Sequence, residues 1–282
     1  MNNPSKIDMK KYCLDLTIRS KESLGEKHVL LKLTQEAPLP PMLPGQFVEI
    51  RVDHSPNTLL RRPISINYVD TERNELWLLV AIIGDGTHDI AAHEQGEKLN
   101  LVYPLGNSFS SLDEIARQLH PTTTPPKSLS AFPKPKVLLV GGGVGIAPLL
   151  FQGQEIVKAG GVPYFLLGAR SAKDLHELNY FEKLGPVFLT TEDASVGEKG
   201  FVTNHSILDK EQFDFIQTCG PKPMMVSVAR YAQKKNIGCE ASLENLMACG
   251  LGACLCCVEK TTEGNLCVCK EGPVFNIKTL LW

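Results

Sequence analysis

Six of the chain's nine cysteines fall between Cys249 and Cys269, in the stretch CGLGACLCCVEKTTEGNLCVC. Cys249, Cys254 and Cys257 have the spacing C-x4-C-x2-C. That spacing suits a [2Fe–2S] cluster, which takes four thiolates. Gly250 and Gly252 let the loop wrap tightly, so that its amides can turn toward cluster sulfur. The fourth thiolate must come from further along, and spacing leaves Cys267 and Cys269 both open. Cys256 adjoins Cys257, and adjacent side chains diverge, so it reads as a spare thiol. A zinc site drawn from Cys254, Cys257, Cys267 and Cys269 is the competing reading, since zinc knuckles use closely spaced pairs. Cysteine density argues against inert core thiols here, whereas isolated Cys13 and Cys239 read as such.

A second chemical motif is VLLVGGGVGIAPLL, Val137 to Leu150. A buried strand, a glycine turn and a helix start form a phosphate cradle, with Gly141, Gly142, Gly143 and Gly145 letting an anion approach the backbone. It is neither a strict G-x-G-x-x-G nor a P-loop. Downstream, TCGPKPMM places Cys219 and Gly220 after another buried run, at the strand edge where α/β proteins bind ligands. Upstream, LLRRPISI offers arginine for a phosphate and Ser65 for a cofactor ring. IIGDGTHDIA adds a second anion cradle at Gly84, Gly86 and Thr87. Taken singly, an arginine pair reads as solvated surface and G-D-G as a hairpin turn; together they gain weight. His88 and His93 lack zincin spacing, and no G-x-S-x-G elbow is present.

The elements that must position these residues fall into two textures. YCLDLTIRS, HVLLKLTQ, QFVEIRVD and ELWLLVAII are short β-rich runs, which predict an antiparallel barrel. His120 to Lys136 is rich in Pro, Ser and Thr and reads as a linker. Beyond it, KVLLV, VPYFLLG, PVFLTT and FDFIQTCG are continuous apolar runs alternating with helical or loop segments, a parallel α/β layout. The expected division is a barrel domain over 1–112, a linker over 113–135, an α/β nucleotide domain over 136–238 and a cysteine domain over 239–282. A net charge of −2 gives no basic field for nucleic acid or an anionic membrane surface, and no apolar run approaches a membrane span. The first residues show no secretory h-region, so a cytoplasmic location is expected, where clustered cysteines serve metals or redox chemistry.

The order R-P-x-S, G-x-G-T, G-G-G-V-G-x-A-P and C-G-P-x-P-M resembles the ferredoxin–NADP reductase superfamily. The C-terminal LENLMACGLGACLCCV…VCKEGPVF narrows the resemblance to the electron-transfer subunits of type B dihydroorotate dehydrogenase, and it covers nearly the whole chain. The resemblance implies a ferredoxin reductase-like fold: an FAD-binding antiparallel β-barrel, a parallel α/β pyridine-nucleotide domain and a small iron–sulfur segment. It implies that Arg62, Pro63, Ile64 and Ser65 contact FAD, with a second flavin stretch at Leu79, Val80 and Ala81. Some relatives carry Tyr-Arg where this chain has Val80 and Ala81, so that stretch is expected to act through its backbone. Gly86 and Thr87 would bind FAD phosphates, the glycine turn would bind NAD, and Cys219 with Gly220 would lie near the nicotinamide in a supporting role. The cluster ligands would be Cys249, Cys254, Cys257 and Cys269, because the last ligand directly precedes the K-E-G-P-V-F tail. No residue of this chain is expected to perform the carbon chemistry.

The function so implied is a short wire in pyrimidine biosynthesis, running from the FMN of a separate catalytic subunit through the cluster and FAD to NAD. The partner would be the dihydroorotate dehydrogenase catalytic subunit, in a heterotetramer of two of each. The same modules also serve an NADH-dependent ferredoxin:NADP oxidoreductase or a sulfide dehydrogenase, and partner identity separates these. A nucleotide-binding zinc protein without redox turnover is the rival of another class. For NAD against NADP, Arg170 and Lys173 could hold a 2′-phosphate, while Asp174 suits a ribose hydroxyl.

Overall fold

The computed structural model describes residues 10–55, 57–121 and 133–282. Most of the Pro/Ser/Thr-rich linker, 122–132, lies outside the described residues. The chain forms two compact units: residues 1–108 with 244–274, and residues 109–243 with 275–282.

The first unit is built on seven antiparallel strands: β1 Tyr12–Ser23, β2 His28–Thr34, β3 Phe47–Ile50, β4 Arg62–Ser65, β5 Tyr68–Asp70, β6 Glu75–Ala81 and β7 Lys98–Leu105, with helix α1 Asp85–Ala92 between the last two. The sheet order is β4-β3-β7-β1-β2-β6-β5. It curls until β4 touches β6. Alternating apolar residues on these strands, among them Leu16, Ile18, Leu31, Leu33, Leu76, Leu78, Leu99 and Leu101, are fully buried. Each such side chain contributes roughly 1.5–3 kcal/mol relative to exposure, which outweighs the weak local propensity of short strands. The hairpin β14 Val258–Thr261 and β15 Gly264–Cys267 belongs to this unit. The Asn107 side chain donates to the carbonyls of Glu271 and Val274, both at 2.8 Å, and accepts from the Val274 amide at 2.9 Å. One asparagine therefore fixes the exit of the cysteine segment to the end of β7.

Helix α2, Leu112–Leu119, begins the second unit within the stretch read from sequence as linker. Ser111 and Glu114 form a reciprocal capping box at its start. The second sheet contains β8 Val137–Gly142, β9 Pro163–Ala169, β10 Val187–Thr191, β11 Glu198–Lys199, β12 Phe215–Cys219, β13 Gly238–Ser242 and β16 Val274–Asn276, in the order β11-β10-β9-β8-β12-β13-β16. Strands β8 to β13 pair in parallel, as the continuous apolar runs predict. Helices α3 Ala147–Lys158, α4 Leu178–Glu182, α5 Ile207–Lys210 and α6 Lys222–Lys235 connect them. Strand order reverses at β8, with β9 on one side and β12 on the other, so the carboxyl ends of β8 and β12 flank a topological switch point. No helix among the described residues is long and apolar enough to cross a membrane.

The turn after β10 carries one local strain. Ala194 sits at φ +62°, in the left-handed region that costs a non-glycine residue ~1–2 kcal/mol. Relief of that strain exceeds the added unfolded-chain entropy, so Ala194→Gly is expected to stabilise the protein by about 0.5–1 kcal/mol. A rise in the urea midpoint at unchanged slope is the measurement that checks it.

Candidate functional site

In the first unit, β4 carries Arg62, Pro63, Ile64 and Ser65 and pairs with β3, Glu49 opposite Pro63 and Phe47 opposite Ser65. Directly opposed residues share a face. The Arg62 side chain crosses the start of α1. A Cβ built on Gly86 would lie 2.6 Å from Arg62 Nε and 3.1 Å from its Cζ. The absence of a side chain at Gly86 thus lets a guanidinium lie over a helix N-terminus, and both are donors suited to a phosphate. Thr87 Oγ1 accepts from the amides of Ile83 and Gly84, at 2.9 and 3.1 Å, and donates to the Gly84 carbonyl. Its hydroxyl shapes the cradle from within. Leu79 and Val80 are buried and Ala81 partly so. Strand β5 pairs only with Glu75–Trp77 of β6, so the ladder on that side ends before Leu79. The stretch therefore offers backbone rather than side chains.

In the second unit, parallel register sets Cys219 of β12 beside Gly141 of β8. The glycine turn follows as a 3₁₀ turn over Gly143–Ile146. A Cβ on Gly145 would come within 2.5 Å of Gly220 Cα and 2.6 Å of the Cys219 carbonyl oxygen. Two stretches some seventy residues apart in sequence thus meet at the switch point, backbone against backbone. Cys219 is buried. At the end of β9, the Ser171 hydroxyl donates to Asp174 at 2.7 Å, while Arg170 and Lys173 are exposed.

The cysteine segment brings four thiols into two pairs, and among the described residues no group of three or more His, Cys, Asp or Glu side chains is gathered closely enough to hold a single metal ion. Cys249 and Cys254 are within hydrogen-bonding reach of each other, as are Cys257 and Cys269. A two-iron cluster needs this pairing, and amides already point at its sulfurs. The Leu251 amide donates to Cys249 Sγ at 3.3 Å, the Gly252 amide to Cys269 Sγ at 3.1 Å, and the Cys269 amide to Cys257 Sγ at 3.3 Å. For Cys249, desolvation raises the thiol, but donors from Leu251, Cys254 and Ala253 outweigh it and pull it down to about 6. Burial first, and then the Cys257 thiol, push Cys269 up. The chain does not run extended from Cys267 to Cys269. Strand β15 stops at Cys267, whose carbonyl accepts from the amides of Lys270 and Glu271 in a turn. Cys269 comes within hydrogen-bonding reach of Cys257, and Cys267 too lies near enough for Cys257, Cys249 and Cys254 to add to the upward push of burial on its thiol. Cys267 is buried with its amide held by Glu271, and Cys256 is exposed.

One residue escaped the sequence reading. Glu49, on β3, is 1% exposed and neither carboxyl oxygen has a hydrogen-bond partner. Burial raises its pKa to about 7; Arg61 and Arg62 oppose the shift and Cys249 adds to it. A Cβ on Gly250 would lie 2.9 Å from Glu49 Cγ and 2.9 Å from Leu105 Cδ1, so the thiol loop closes over this carboxyl. The sequence signal was an acidic residue inside the apolar run QFVEI.

Residues 244–281 match the family described as the iron–sulfur cluster binding domain of dihydroorotate dehydrogenase B. The dihydroorotate dehydrogenase B (NAD(+)) electron transfer subunit of Shouchella clausii is 36% identical, over 83% of this chain and 85% of that protein. The subunit of the same name from Listeria monocytogenes is 35% identical, over 93% and 96%. The chain belongs to this family. It is an electron-transfer subunit of an oxidoreductase and so works with a catalytic partner subunit. The fold agrees: a structure of the NADH-dependent reduced ferredoxin-NADP oxidoreductase superposes with a TM-score of 0.77 at 26% identity, covering 95% of this chain and 90% of that one. The ferredoxin reductase-like architecture expected from the motif order is the one observed.

The two glycine contacts predict opposite outcomes for one substitution. Gly86→Ala meets a flexible side chain, so the fold is expected to be kept while Arg62 is displaced from the start of α1, and flavin occupancy is expected to fall if that guanidinium is a flavin ligand. Gly145→Ala meets backbone, so the strand ends must part, at ~1–3 kcal/mol for overpacking. Flavin occupancy after gel filtration, together with urea melts, separates the two.

Proposed function

We propose that this dihydroorotate dehydrogenase B subunit carries electrons between the FMN of its catalytic partner and NAD, by way of a [2Fe–2S] cluster and FAD. The observation that carries this reading is a shared face. Pro63 and Ser65 of β4 lie on the same side of the sheet as Phe47 and Glu49 of β3, and the thiol loop covers that side at Glu49 and Leu105. Neighbouring strands are ~4.8 Å apart, so flavin strand and cluster loop are separated by a single strand. Electron transfer between two centres requires this closeness, and a rigid sheet supplies it.

Arg62 and the start of α1 hold the FAD phosphates, with Gly86 as the clearance between them. Ser65 and the backbone of Leu79–Ala81 orient the ring. In the second unit, Gly141, Gly142, Gly143 and Gly145 present backbone to the dinucleotide's phosphates, and Cys219 with Gly220 line the nicotinamide end. Asp174, held by Ser171, reads the ribose hydroxyls, which favours NAD over NADP. Cys249 with Cys254 hold one iron, and Cys257 with Cys269 the other. Bound FAD and cluster together supply the conversion between paired and single electron transfer. The chain's own part is to orient these groups, exclude water around the thiols and donate amide hydrogen bonds to sulfur.

Leu246, Leu251 and Leu255, at 86%, 50% and 64% exposure, form an apolar rim on the cysteine segment. Leu255 is moreover held at φ +59°. An exposed, strained leucine between two cluster ligands suits a surface covered by the catalytic subunit, in a heterotetramer of two of each.

The isolated chain is expected to reduce artificial acceptors with NADH and to leave dihydroorotate untouched. Dihydroorotate-dependent dye reduction by the chain alone would overturn the reading. For the ligands, Cys269→Ser is expected to lose the cluster, while Cys267→Ser and Cys256→Ser keep it. Iron per protein and electron paramagnetic resonance of each reduced variant check this; a full signal in Cys269→Ser with its loss in Cys267→Ser reverses the assignment.

A further inference from the structure

Glu49 is used by nothing described so far, and its placement is costly. It stands between Val48 and Ile50 in a four-residue strand, every member of which is buried. The two nearest arginines direct their hydrogen bonds elsewhere. Arg61 donates to the carbonyls of Glu49 and Asn100, at 3.2 and 3.0 Å, and to Asn100 Oδ1 at 2.5 Å. Arg62 donates to the carbonyls of Leu60 and Arg61. A buried carboxyl without a partner costs several kcal/mol, and a methionine would fill the same space without that cost. What closes over the carboxyl is Gly250, the residue after Cys249; a Cβ there would be 3.3 Å from Glu49 Oε1. The group is therefore sealed from water on the barrel side of the thiol loop.

We propose that Glu49 sets the reduction potential of the iron–sulfur cluster, holding it low by presenting carboxyl oxygens to the Cys249 corner from beneath the loop. This rests on the reading that Cys249, Cys254, Cys257 and Cys269 hold a [2Fe–2S] cluster. Cluster potentials respond to net charge, hydrogen bonding and solvent exposure. When ionised, a carboxylate in a water-excluded site opposes the arrival of an electron far more strongly than the same group in water. Glu49 acts through the field at the cluster and touches neither substrate nor the carbon chemistry. Its position on β3, one strand from the flavin strand, places it where the order of the two potentials decides which way electrons run.

The test is a redox titration, in mildly alkaline buffer where the Glu49 carboxyl is ionised, of the full, cofactor-loaded chain, followed by electron paramagnetic resonance, on the parent, Glu49→Gln, Glu49→Met and Glu49→Asp. The expected result is an upward shift of the cluster midpoint in both neutral variants at unchanged iron content, with Glu49→Asp close to the parent. Neutral variants that titrate with the parent overturn the proposal. Loss of iron or of the fold in both neutral variants also overturns it, since the carboxyl is then a structural requirement. A parent chain that shows no reduced [2Fe–2S] signal refutes the cluster assignment itself, whatever Glu49 does.

Discussion

Strand β3 is buried on both of its faces, and the electron-carrying unit depends on that. Val48 and Ile50 point one way and Phe47 and Glu49 the other, and none is exposed. A sheet strand in a barrel ordinarily needs one apolar face. This one needs a cover for the second, and the cysteine segment is the cover. Gly250 closes on Glu49, and Asn107 fixes the segment's exit at Glu271 and Val274. A loop that wrapped its cysteines without this floor would face water on both sides, and its amides would exchange sulfur for solvent.

The second unit solves a different problem by backbone alone. The reversal of strand order at β8 leaves a crevice at the carboxyl ends of β8 and β12, the place where open α/β sheets bind ligands. The approach of Gly145 to Gly220 is closer than any side chain permits. Beneath this edge, the sheet is tied by a polar network. Ser110 donates its amide to Glu240 at 3.0 Å, Gln217 donates to Glu240 at 3.0 Å, and Gln152 donates to Gln217 at 2.7 Å.

Two of the buried glutamates, Glu49 and Glu240, are held in opposite ways. Burial pushes the pKa of Glu240 up, but a serine and a glutamine hydrogen-bond its oxygens, so its cost is repaid locally in structure. Glu49 has no such partners. Local rules of burial are broken most readily where function requires it, and in the first unit that place is the floor of the thiol loop.

Much of this was legible in the sequence, because periodicity and local chemistry are local. The β-rich character of HVLLKLTQ and the continuous run KVLLV follow from burial that each segment encodes by itself. The spacing of Cys249, Cys254 and Cys257 belongs to one loop, so it could be read without the fold. The path of the chain from Cys267 to Cys269 could not, because it depends on where β15 ends, and a turn closed by Lys270 and Glu271 sets that. Helix α2 was hidden because the expected division cut it at its first residue and placed 113–119 in the linker, although Ser111 and Glu114 are an N-terminal signal. The meeting of Gly145 with Gly220, the guanidinium over Gly86 and the isolation of Glu49 are contacts between residues far apart in sequence. Such contacts exist only once strand order and register are set, so tertiary structure alone decided them.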